Sequence, residues 1–219
     1  MHAPADAATD LVCIHADQAL LVLDKPAGLL SVPGRVPARQ DCAARRAQAR
    51  WADALVVHRL DMATSGLLLM ARGLDMQRRL GRAFETRAVR KTYVAVVAGH
   101  VDADSGTIDA PLKPDWPRRP RQMVCPSGKP SLTHWQVLAR GTDAQGRPWS
   151  RLALQPITGR SHQLRVHLLH IGHPILGDTL YADAETAARS PRLLLHASTL
   201  ALEHPLSGEA CSWHSPAPF

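Results

Sequence analysis

The sequence is poor in cysteine, and its cysteines are widely separated. Only four occur in 219 residues, and no two of them form a Cys-x-x-Cys pair. A disulfide framework is unusual in a chain of this length, and a structural zinc site needs closely spaced ligands. We therefore predict free thiols, the usual state in a reducing compartment. The four residues are Cys13, Cys42, Cys125 and Cys211.

Long apolar runs are missing as well. No apolar stretch approaches the roughly 20 residues that a membrane-spanning helix needs. Residues 1–10 contain no basic segment followed by an apolar one, so they do not resemble a secretion signal. We accordingly expect a soluble, cytoplasmic protein that does not bind a membrane.

Acidic residues are outnumbered by basic ones. Asp and Glu total 19 against 26 Lys and Arg, which gives a formal net charge of +7. This imbalance allows an anionic partner such as nucleic acid, although many basic proteins bind none. Hydrophobic residues make up 45% of the chain, which is an ordinary fraction for a globular protein. The length suits one core or two closely joined halves.

Short β-type segments dominate the chain and do not alternate regularly with helical ones. Clustered strands of this kind favour an α+β fold with a central mixed sheet, mostly antiparallel, over a doubly wound nucleotide-binding fold. The predicted strands are 11–15, 19–24, 29–32, 55–57, 66–71, 92–98, 131–139, 149–155, 193–195 and 199–203.

Three helices are predicted to flank this sheet. Asp41 and Ser161 are residue types that often cap a helix N-terminus, and Gly172 is typical of the position after a helix ends. The apolar side chains of the third helix fall on one stripe, and Arg165 lies off that stripe. The predicted helices are 41–51, 74–87 and 161–171.

The stretch 58–66, with the sequence HRLDMATSG, is the most informative loop. It lies between two predicted apolar strands and packs His58, Arg59 and Asp61 into four positions. Polar groups beside buried strands are costly unless they are paired, so such a loop can mark a functional site. It can equally be a turn in which Asp61 or Thr64 bonds to the local backbone. The residues alone leave both interpretations open.

The stretch 58–67, HRLDMATSGL, is similar to the signature of the RluA-type pseudouridine synthases, and Asp61 falls on that family's catalytic aspartate. One motif can arise by chance, but five others occur in the family's order. They are KPAGL at 25–29, RKTY at 90–93, TGRSHQLRVH at 158–167, HPILGD at 173–178 and LLLHA at 193–197. LSVPGR at 30–35 and DWP at 115–117 resemble the RluA branch in particular.

The resemblance covers roughly residues 20–200 and implies the pseudouridine synthase fold with a basic active-site cleft. We expect a single catalytic domain over residues 1–219, either as one unit or as two sheet halves that meet at the cleft. Some ten residues precede the first predicted strand, so we expect no N-terminal S4-type RNA-binding domain. Asp24 stands where many relatives carry Asn, which we interpret as a tolerated variation in a turn.

The resemblance implies three catalytic residues. Asp61 matches the catalytic aspartate, Tyr93 the tyrosine that packs against the target base, and Arg165 the arginine that pairs with the aspartate and keeps it ionised. No cofactor is implied, because uracil is detached from C1′ and rejoined through C5 without net redox change. The sequence leaves open whether Asp61 attacks the sugar, attacks the base or removes a ribose proton.

The resemblance also implies a set of RNA-binding or base-flipping residues. Arg59 matches the arginine that fills the space left by the flipped uridine, where a planar guanidinium can stack. His58 fits a structural role better than a catalytic one. Trp116, beside several arginines, is the best candidate for an aromatic and basic RNA contact elsewhere. The full set is Arg59, His58, Thr64, Arg160, His162 and Gln163.

Two alternatives accompany this interpretation. Crowded histidines raise the possibility of a metal site, but no acidic or cysteine ligand has an obvious place beside them, so we predict none. A non-catalytic RNA-binding or RNA-remodelling protein could use the same cleft. Binding alone would not require Asp61, Tyr93 and Arg165 together, which argues against it. The histidines are His162, His167, His170 and His173.

The RluA branch implies two substrates, uridine 32 in the anticodon stem-loop of tRNA and uridine 746 in a hairpin loop of 23S rRNA. One small enzyme can serve both if it reads a short shared loop sequence and a loop shape, since RNA specificity lies mostly in splayed single-stranded bases. We therefore expect structured RNA, namely tRNA and large-subunit rRNA, as the partner. No obligatory protein partner is expected.

Overall fold

The computed structural model of the chain describes residues 11–219, so residues 1–10, where we predict no secretion signal, lie outside it. The described residues form four α-helices, two short 3-10 helices (Pro37–Arg39 and Trp116–Arg118) and twelve strands. The helices are α1 (Ala43–Arg50), α2 (Gly73–Glu85), α3 (Gln163–His170) and α4 (Ala184–Ala188). The strands are β1 (Val12–Ala16), β2 (Leu20–Lys25), β3 (Ala54–Val56), β4 (Ser65–Arg72), β5 (Arg90–Ala98), β6 (Ser105–Asp109), β7 (Leu112–Pro114), β8 (Gln122–Val124), β9 (Leu132–Thr142), β10 (Pro148–Pro156), β11 (Leu195–Glu203) and β12 (Ala210–His214).

Ten of these strands make one continuous sheet. Its order is β1-β2-β4-β11-β5-β10-β9-β6, with β3 paired to β4 and β12 paired to β11. The named strands pair antiparallel with one exception, because β11 runs parallel to β4 where His196 faces Ser65 and Ala197 faces Gly66. β7 and β8 form a separate two-stranded ribbon. The prediction of an α+β fold with a mixed, mostly antiparallel sheet is confirmed.

Both faces of the N-terminal half of the sheet are covered by helices. Successive side chains of β2 enter different cores, because Leu20 and Val22 pack with α2 whereas Leu21 and Leu23 pack with α1. A strand covered on both faces needs no polar side, so its sequence is a continuous apolar run. This explains why β2 and β4 lack the alternation of a half-exposed strand.

A further core lies between the C-terminal half of the sheet and α3. Leu164 and Leu168 of α3 pack against Leu152 and Leu154 of β10, as the predicted apolar stripe requires. The stripe fixes the rotation of α3 about its axis. Arg165, which lies off the stripe, is thereby directed away from this core and toward the loop between β3 and β4.

Both predicted N-terminal caps are wrong. α1 begins after Cys42, whose Sγ accepts a hydrogen bond from a backbone N–H, while the Asp41 carboxylate pairs with Arg46 instead. α3 begins after His162, which has the left-handed φ of 55° and forms no side-chain cap. The Ser161 hydroxyl lies within hydrogen-bond distance of Arg59, across the cleft, and so serves tertiary structure rather than the helix.

The helix ends and lengths agree better with prediction. Gly172 follows α3 with a φ of 83°, a conformation that glycine adopts without steric cost. The predicted helix at 74–87 corresponds to α2, shifted by one or two residues at each end. Among residues 11–219, no helix is both long and apolar enough to cross a membrane.

Most predicted strands are present with shifted ends, but one is wrong and several are missed. Residues 29–32 form no strand; Leu30 makes only an isolated bridge to Cys42. The segments 193–195 and 199–203 contribute to one strand, β11, rather than to two. The strands β6, β7, β8 and β12 and the helix α4 were not predicted, because they are short or carry polar or small residues at exposed positions and so leave little periodic signal.

Candidate active site

The loop that joins β3 to β4 carries Asp61. Hydrogen bonds from the segment that follows β2 hold this loop in place. The hydroxyl of Ser31 donates to the carbonyl of Leu60 at 2.7 Å and accepts from the Leu60 N–H at 3.0 Å. On the other side of Asp61, the carbonyl of Met62 accepts a bond from the Gly28 N–H at 2.8 Å. Both neighbours of Asp61 are therefore held by the KPAGLLS segment.

Lys25 completes this support. Its side chain is fully buried, and its Nζ donates to the carbonyls of Pro26 at 2.9 Å, Leu29 at 2.7 Å and Met62 at 3.2 Å. Three acceptors satisfy all three ammonium donors. Burial lowers the pKa of Lys25 to about 8, although the negative charge of Asp61 opposes the shift. The buried cation thus ties two loops together beneath the carboxylate.

The Asp61 carboxylate faces two nitrogen-bearing side chains from the C-terminal half of the chain. Arg165 Nη1 lies 3.7 Å from Oδ2, and His162 Nε2 lies 3.8 Å from Oδ1. The Asp61 side chain is 23% exposed, whereas that of Arg165 is 5% exposed. The carboxylate is therefore reachable from the cleft, while the guanidinium behind it is not.

Asp178 is the nearer partner of Arg165. Arg165 Nε and Nη2 donate to the two Asp178 oxygens at 2.8 Å and 2.6 Å, a bidentate pair that is almost completely buried. Burial opposes the charged form of Arg165, but the paired Asp178 carboxylate outweighs burial and raises its pKa above the ordinary value. Because Asp178 fixes two guanidinium nitrogens, the third, Nη1, is left to face Asp61.

Tyr181 lies at the centre of this arrangement. Its ring is 5.0 Å from the Arg165 guanidinium carbon, and its hydroxyl accepts a bond from the Gln122 N–H at 2.8 Å. The same hydroxyl is 2.6 Å from His162 Nδ1. A neutral His162 with its proton on Nε2, facing the Asp61 carboxylate, accepts at Nδ1 from Tyr181. Burial lowers the pKa of His162 and favours this neutral ring, although Asp61 opposes the shift.

The carboxylate opens into a cleft of about 500 Å³. Tyr93 of β5 lines it, and burial, assisted by the charge of Asp61, raises the pKa of its hydroxyl well above the ordinary value. Tyr93 is therefore a neutral ring at working pH. The cationic residues of the lining outnumber the acidic residues Asp61 and Glu85; they are Arg59, Arg87, Lys91, Arg160 and Arg165.

Two arginines border the cleft at its exposed side. Arg59, two residues before Asp61, is exposed, and its Nη2 donates to the Ser161 hydroxyl at 3.3 Å. Arg160 is exposed as well, and its Nε donates to the Pro130 carbonyl at 3.3 Å. Both guanidinium groups are placed where an anionic ligand would enter.

Three residues of the predicted RNA-binding set bond within the protein or are buried, and His58 has the structural role expected of it. His58 Nε2 accepts from the Leu69 N–H at 2.9 Å, so this ring serves the backbone of β4. Thr64 is only 3% exposed. Gln163 is 4% exposed, and its amide bonds to Thr158, Arg160 and Thr133. All three side chains line the cleft, and they form part of its walls.

A chain of hydrogen bonds behind the Asp61 loop connects the guanidinium of Arg192 to the carboxylate of Asp24. Arg192 Nη2 donates to the Ser65 hydroxyl, which lies 2.8 Å from His196 Nδ1. His196 Nε2 lies 3.1 Å from the Ser215 carbonyl, which can only accept, so Nε2 carries the proton. The Ser215 hydroxyl then donates to Asp24 at 2.6 Å. Asp24 thus terminates a partly buried chain, a role that the interpretation as a turn variant did not foresee.

Two of the crowded histidines, His167 and His173, serve structure. His167 is buried between the Thr133 hydroxyl at 2.9 Å and the Ala110 carbonyl at 3.0 Å, and His173 Nδ1 lies 2.9 Å from the Ala98 carbonyl. Within residues 11–219, no three His, Cys, Asp or Glu side chains form a group that could hold a metal ion.

The cleft unites all nine of the site residues proposed from sequence, but two neighbours were missed. Asp178 belongs to the quoted HPILGD motif, so its place in a family motif was the available signal. Tyr181 follows three residues later, and nothing in its local sequence distinguishes it. Its importance is visible only once the start of α3 and the start of β8 meet.

A match to a known protein family identifies the family to which this chain belongs. A family model described as RNA pseudouridylate synthase matches residues 19–170. The chain belongs to this family. It is an RNA pseudouridine synthase, and therefore an isomerase.

Individual relatives match along nearly the whole chain. The dual-specificity RNA pseudouridine synthase RluA of Escherichia coli (strain K12) is 47% identical over 210 residues, which cover 95% of this chain and 94% of the relative. The protein of the same name from Pasteurella multocida is 46% identical over 217 residues, covering 99% and 96%. Among solved structures, human RNA pseudouridylate synthase domain containing 1 has a TM-score of 0.80 at 30% identity, covering 95% of this chain and 84% of that chain.

Proposed function

We propose that this RNA pseudouridine synthase uses Asp61 as its catalytic carboxylate and acts on two RNAs, the anticodon stem-loop of tRNA and a hairpin loop of large-subunit rRNA. The position of the Asp61 carboxylate supports the first part: it is reachable in a basic cleft while both neighbouring peptide units are fastened. The dual-specificity relatives, 46% and 47% identical along nearly their full lengths, support the second.

The arrangement suits the isomerisation without help from a cofactor. The bond between N1 of uracil and C1′ breaks, a bond from C5 to C1′ forms, and the proton lost from C5 is balanced by one gained at N1. Asp61 serves as the nucleophile or base, and Arg165 Nη1 lies 3.7 Å behind it. Tyr93 offers a neutral ring for packing against the target base, and Arg59 can fill the gap left by a flipped nucleotide.

The purified chain is expected to act without a protein partner. Its cleft brings together the carboxylate, the aromatic ring and the cationic residues that the reaction needs. We also propose that it works in the cytoplasm, where tRNA and ribosomal RNA are matured.

The test combines synthetic RNA hairpins with one isosteric variant. Wild-type protein and Asp61→Asn are incubated with an anticodon stem-loop and with a large-subunit rRNA hairpin, and pseudouridine is located by chemical adduct and primer extension. We expect both hairpins to be modified by the wild type and neither by Asp61→Asn. The variant keeps its shape and loses only the charge, so its affinity for each hairpin should stay within about 2-fold of wild type, well under the tenfold that 1.4 kcal/mol represents.

Each outcome bears on a different part of the proposal. Turnover by Asp61→Asn at even a few per cent of the wild-type rate contradicts the catalytic assignment. Modification of a single hairpin by the wild type reduces the enzyme to one specificity. If the wild type binds RNA but forms no pseudouridine in hairpins, tRNA or ribosomal RNA, the alternative of a non-catalytic RNA-binding protein is favoured.

A further inference from the structure

A second, smaller pocket lies beside the catalytic cleft. It has a volume of about 220 Å³ and lies between α3 and the segment 115–124. The two pockets share a boundary, because Tyr181 lines the smaller one while its hydroxyl contacts His162, which lines the catalytic cleft. We name this smaller pocket the arginine pocket; the residues that matter here are Arg118, Arg121, Gln122, Val166, His170 and Tyr181.

The charge of the arginine pocket is unbalanced. Arg118 Nε lies 2.7 Å from the carboxylate of Asp115, which is 6% exposed, so this pair cancels. Arg121 is half-buried, and within the described residues no acidic side chain lies within ion-pair distance of it. His170 also lines the pocket. A half-buried guanidinium without a carboxylate partner favours an anionic ligand, and its planar fork matches phosphate oxygens.

An exposed aromatic ring adjoins this pocket. Trp116 is 64% exposed, the largest exposed fraction among the big apolar side chains of the described residues. The guanidinium carbon of Arg119 lies 4.8 Å from its ring centroid. The cation holds the ring in place and leaves most of its area open. Exposed aromatic rings flanked by arginines stack unpaired bases, because every base has a π-face.

We propose that the arginine pocket and Trp116 form a second RNA subsite, which binds one backbone phosphate at Arg121 and stacks one unpaired base on Trp116. This inference rests on the proposed function, since the ligand is the same RNA whose target nucleotide enters the catalytic cleft. The subsite recognises a loop nucleotide outside the catalytic cleft. It therefore supplies binding energy and loop selection rather than chemistry.

The segment that carries the subsite also reaches the catalytic residues. The Gln122 N–H donates to the Tyr181 hydroxyl, and that hydroxyl holds His162 beside Asp61. An RNA nucleotide seated against 115–124 therefore contacts the element that orients His162. The subsite residues themselves do not touch Asp61, so their loss should weaken RNA binding without stopping the reaction.

The experiment measures affinity and chemistry separately. Trp116→Ala and Arg121→Met are made with and without Asp61→Asn, and binding of a fluorescent anticodon hairpin, total tRNA and ribosomal RNA is followed by anisotropy. We expect about 10-fold weaker binding from Trp116→Ala, the effect of losing one stacked base. For Arg121→Met the slope of log affinity against log salt should fall by about 1. The single-turnover rate at saturating enzyme should stay within about 2-fold of wild type, because neither residue lies in the catalytic cleft.

Matched controls lie on β9, at the end remote from α3. Leu138→Ala removes another exposed apolar side chain, 52% exposed, and Arg140→Met removes an arginine that is paired with Asp104 at 2.8 Å. Both should bind RNA as the wild type does. A series of hairpins with single neutral methylphosphonate linkages then locates the phosphate. One linkage should weaken binding of the wild type and have no further effect on Arg121→Met.

The outcomes separate this inference from the proposed function. Wild-type affinity in both Trp116→Ala and Arg121→Met overturns the subsite, whether or not the hairpins are modified. Equal losses in the β9 controls overturn it too, since the effect would then be general. If the wild type forms no pseudouridine while the two variants still bind RNA more weakly, the subsite stands and the proposed reaction fails.

Discussion

Two kinds of side chain surround Asp61. Some face its carboxylate directly, and others hold those side chains in position. Arg165 is the central member of the first group, and Asp178 controls it through two bonds of 2.8 Å and 2.6 Å. The sequence motif predicts that Arg165 pairs with Asp61, and the 3.7 Å approach agrees with this. The tighter pairing with Asp178 could not be predicted, because it joins residues from α3 and from the following loop.

The Arg165–Asp178 pair gives a prediction about stability and activity together. Arg165→Met leaves the buried Asp178 carboxylate uncompensated, and removal of one partner of a buried pair typically costs about 3–5 kcal/mol of unfolding free energy. The variant should also lose activity, since Nη1 no longer faces Asp61. Urea denaturation and hairpin turnover measure the two effects.

A double-mutant cycle assigns the coupling. Asp178→Asn combined with Arg165→Met should reduce the free energy of unfolding by much less than the sum of the two single changes. The reason is that each single change leaves one buried charge without its partner, whereas the double variant leaves none. Asp61→Asn with Arg165→Met should show weaker coupling, since the groups are farther apart and Asp61 is partly exposed. Strict additivity in the Arg165 and Asp178 cycle contradicts the buried pair.

The parallel contact between β4 and β11 is the critical junction among the elements. Gly66 has a φ of 106°, and a Cβ there would lie 2.3 Å from the carbonyl oxygen of Ala197. The two strands can approach this closely only because residue 66 has no side chain. The same junction places the Asp61 loop beside β11, the strand that contains the end of the LLLHA motif.

Two alanine substitutions test the junction. Strain and the backbone clash together should make Gly66→Ala destabilising by about 2–6 kcal/mol. Gly81→Ala, in the middle of α2 with open space around it, should instead stabilise by about 0.5–1 kcal/mol. Denaturant midpoints measure both changes. A Gly66→Ala protein as stable as the wild type contradicts the proposed close approach.

Helices and strands with a continuous or periodic apolar pattern could be predicted from the sequence. Helix starts that depend on contacts with other parts of the chain could not. β2, β4 and β5 carry apolar runs, and α2 carries an amphipathic pattern, so local sequence was sufficient. The start of α3 depends on a left-handed His162 held by Tyr181, and that of α1 on Cys42. Such caps are decided by tertiary neighbours rather than by residue type.

The acid stability of the whole molecule depends on its neutral buried histidines. Burial lowers the pKa of His58 to about 3, against an ordinary value of 6.5, and Lys91 adds to the shift. Burial also lowers the pKa values of His167 and His196. Between pH 6.5 and the lowered folded values, the unfolded chain binds more protons than the folded one. Stability therefore falls as pH decreases through this window.

His58→Gln isolates one of these contributions. Glutamine keeps an oxygen acceptor for the Leu69 N–H but does not titrate. We expect the unfolding free energy of the variant to fall less steeply between pH 6.5 and pH 4 than that of the wild type, as measured by urea denaturation across that range. Identical slopes in the two proteins would show that His58 is protonated in the folded state as well.

The contact between Ser65 and His196 also determines how early during synthesis of the chain the active site can form. These residues are 131 positions apart, yet their strands must pair before Arg165 and Asp61 have fixed places. At a synthesis rate of ~5–20 residues per second, His196 is added roughly 7–26 s after Ser65. During that interval the hairpins of the first half can form, since a hairpin closes in about 1–10 μs. The nascent chain therefore carries Asp61 long before its site is assembled, and we expect no catalysis until the segment around His196 has been synthesised.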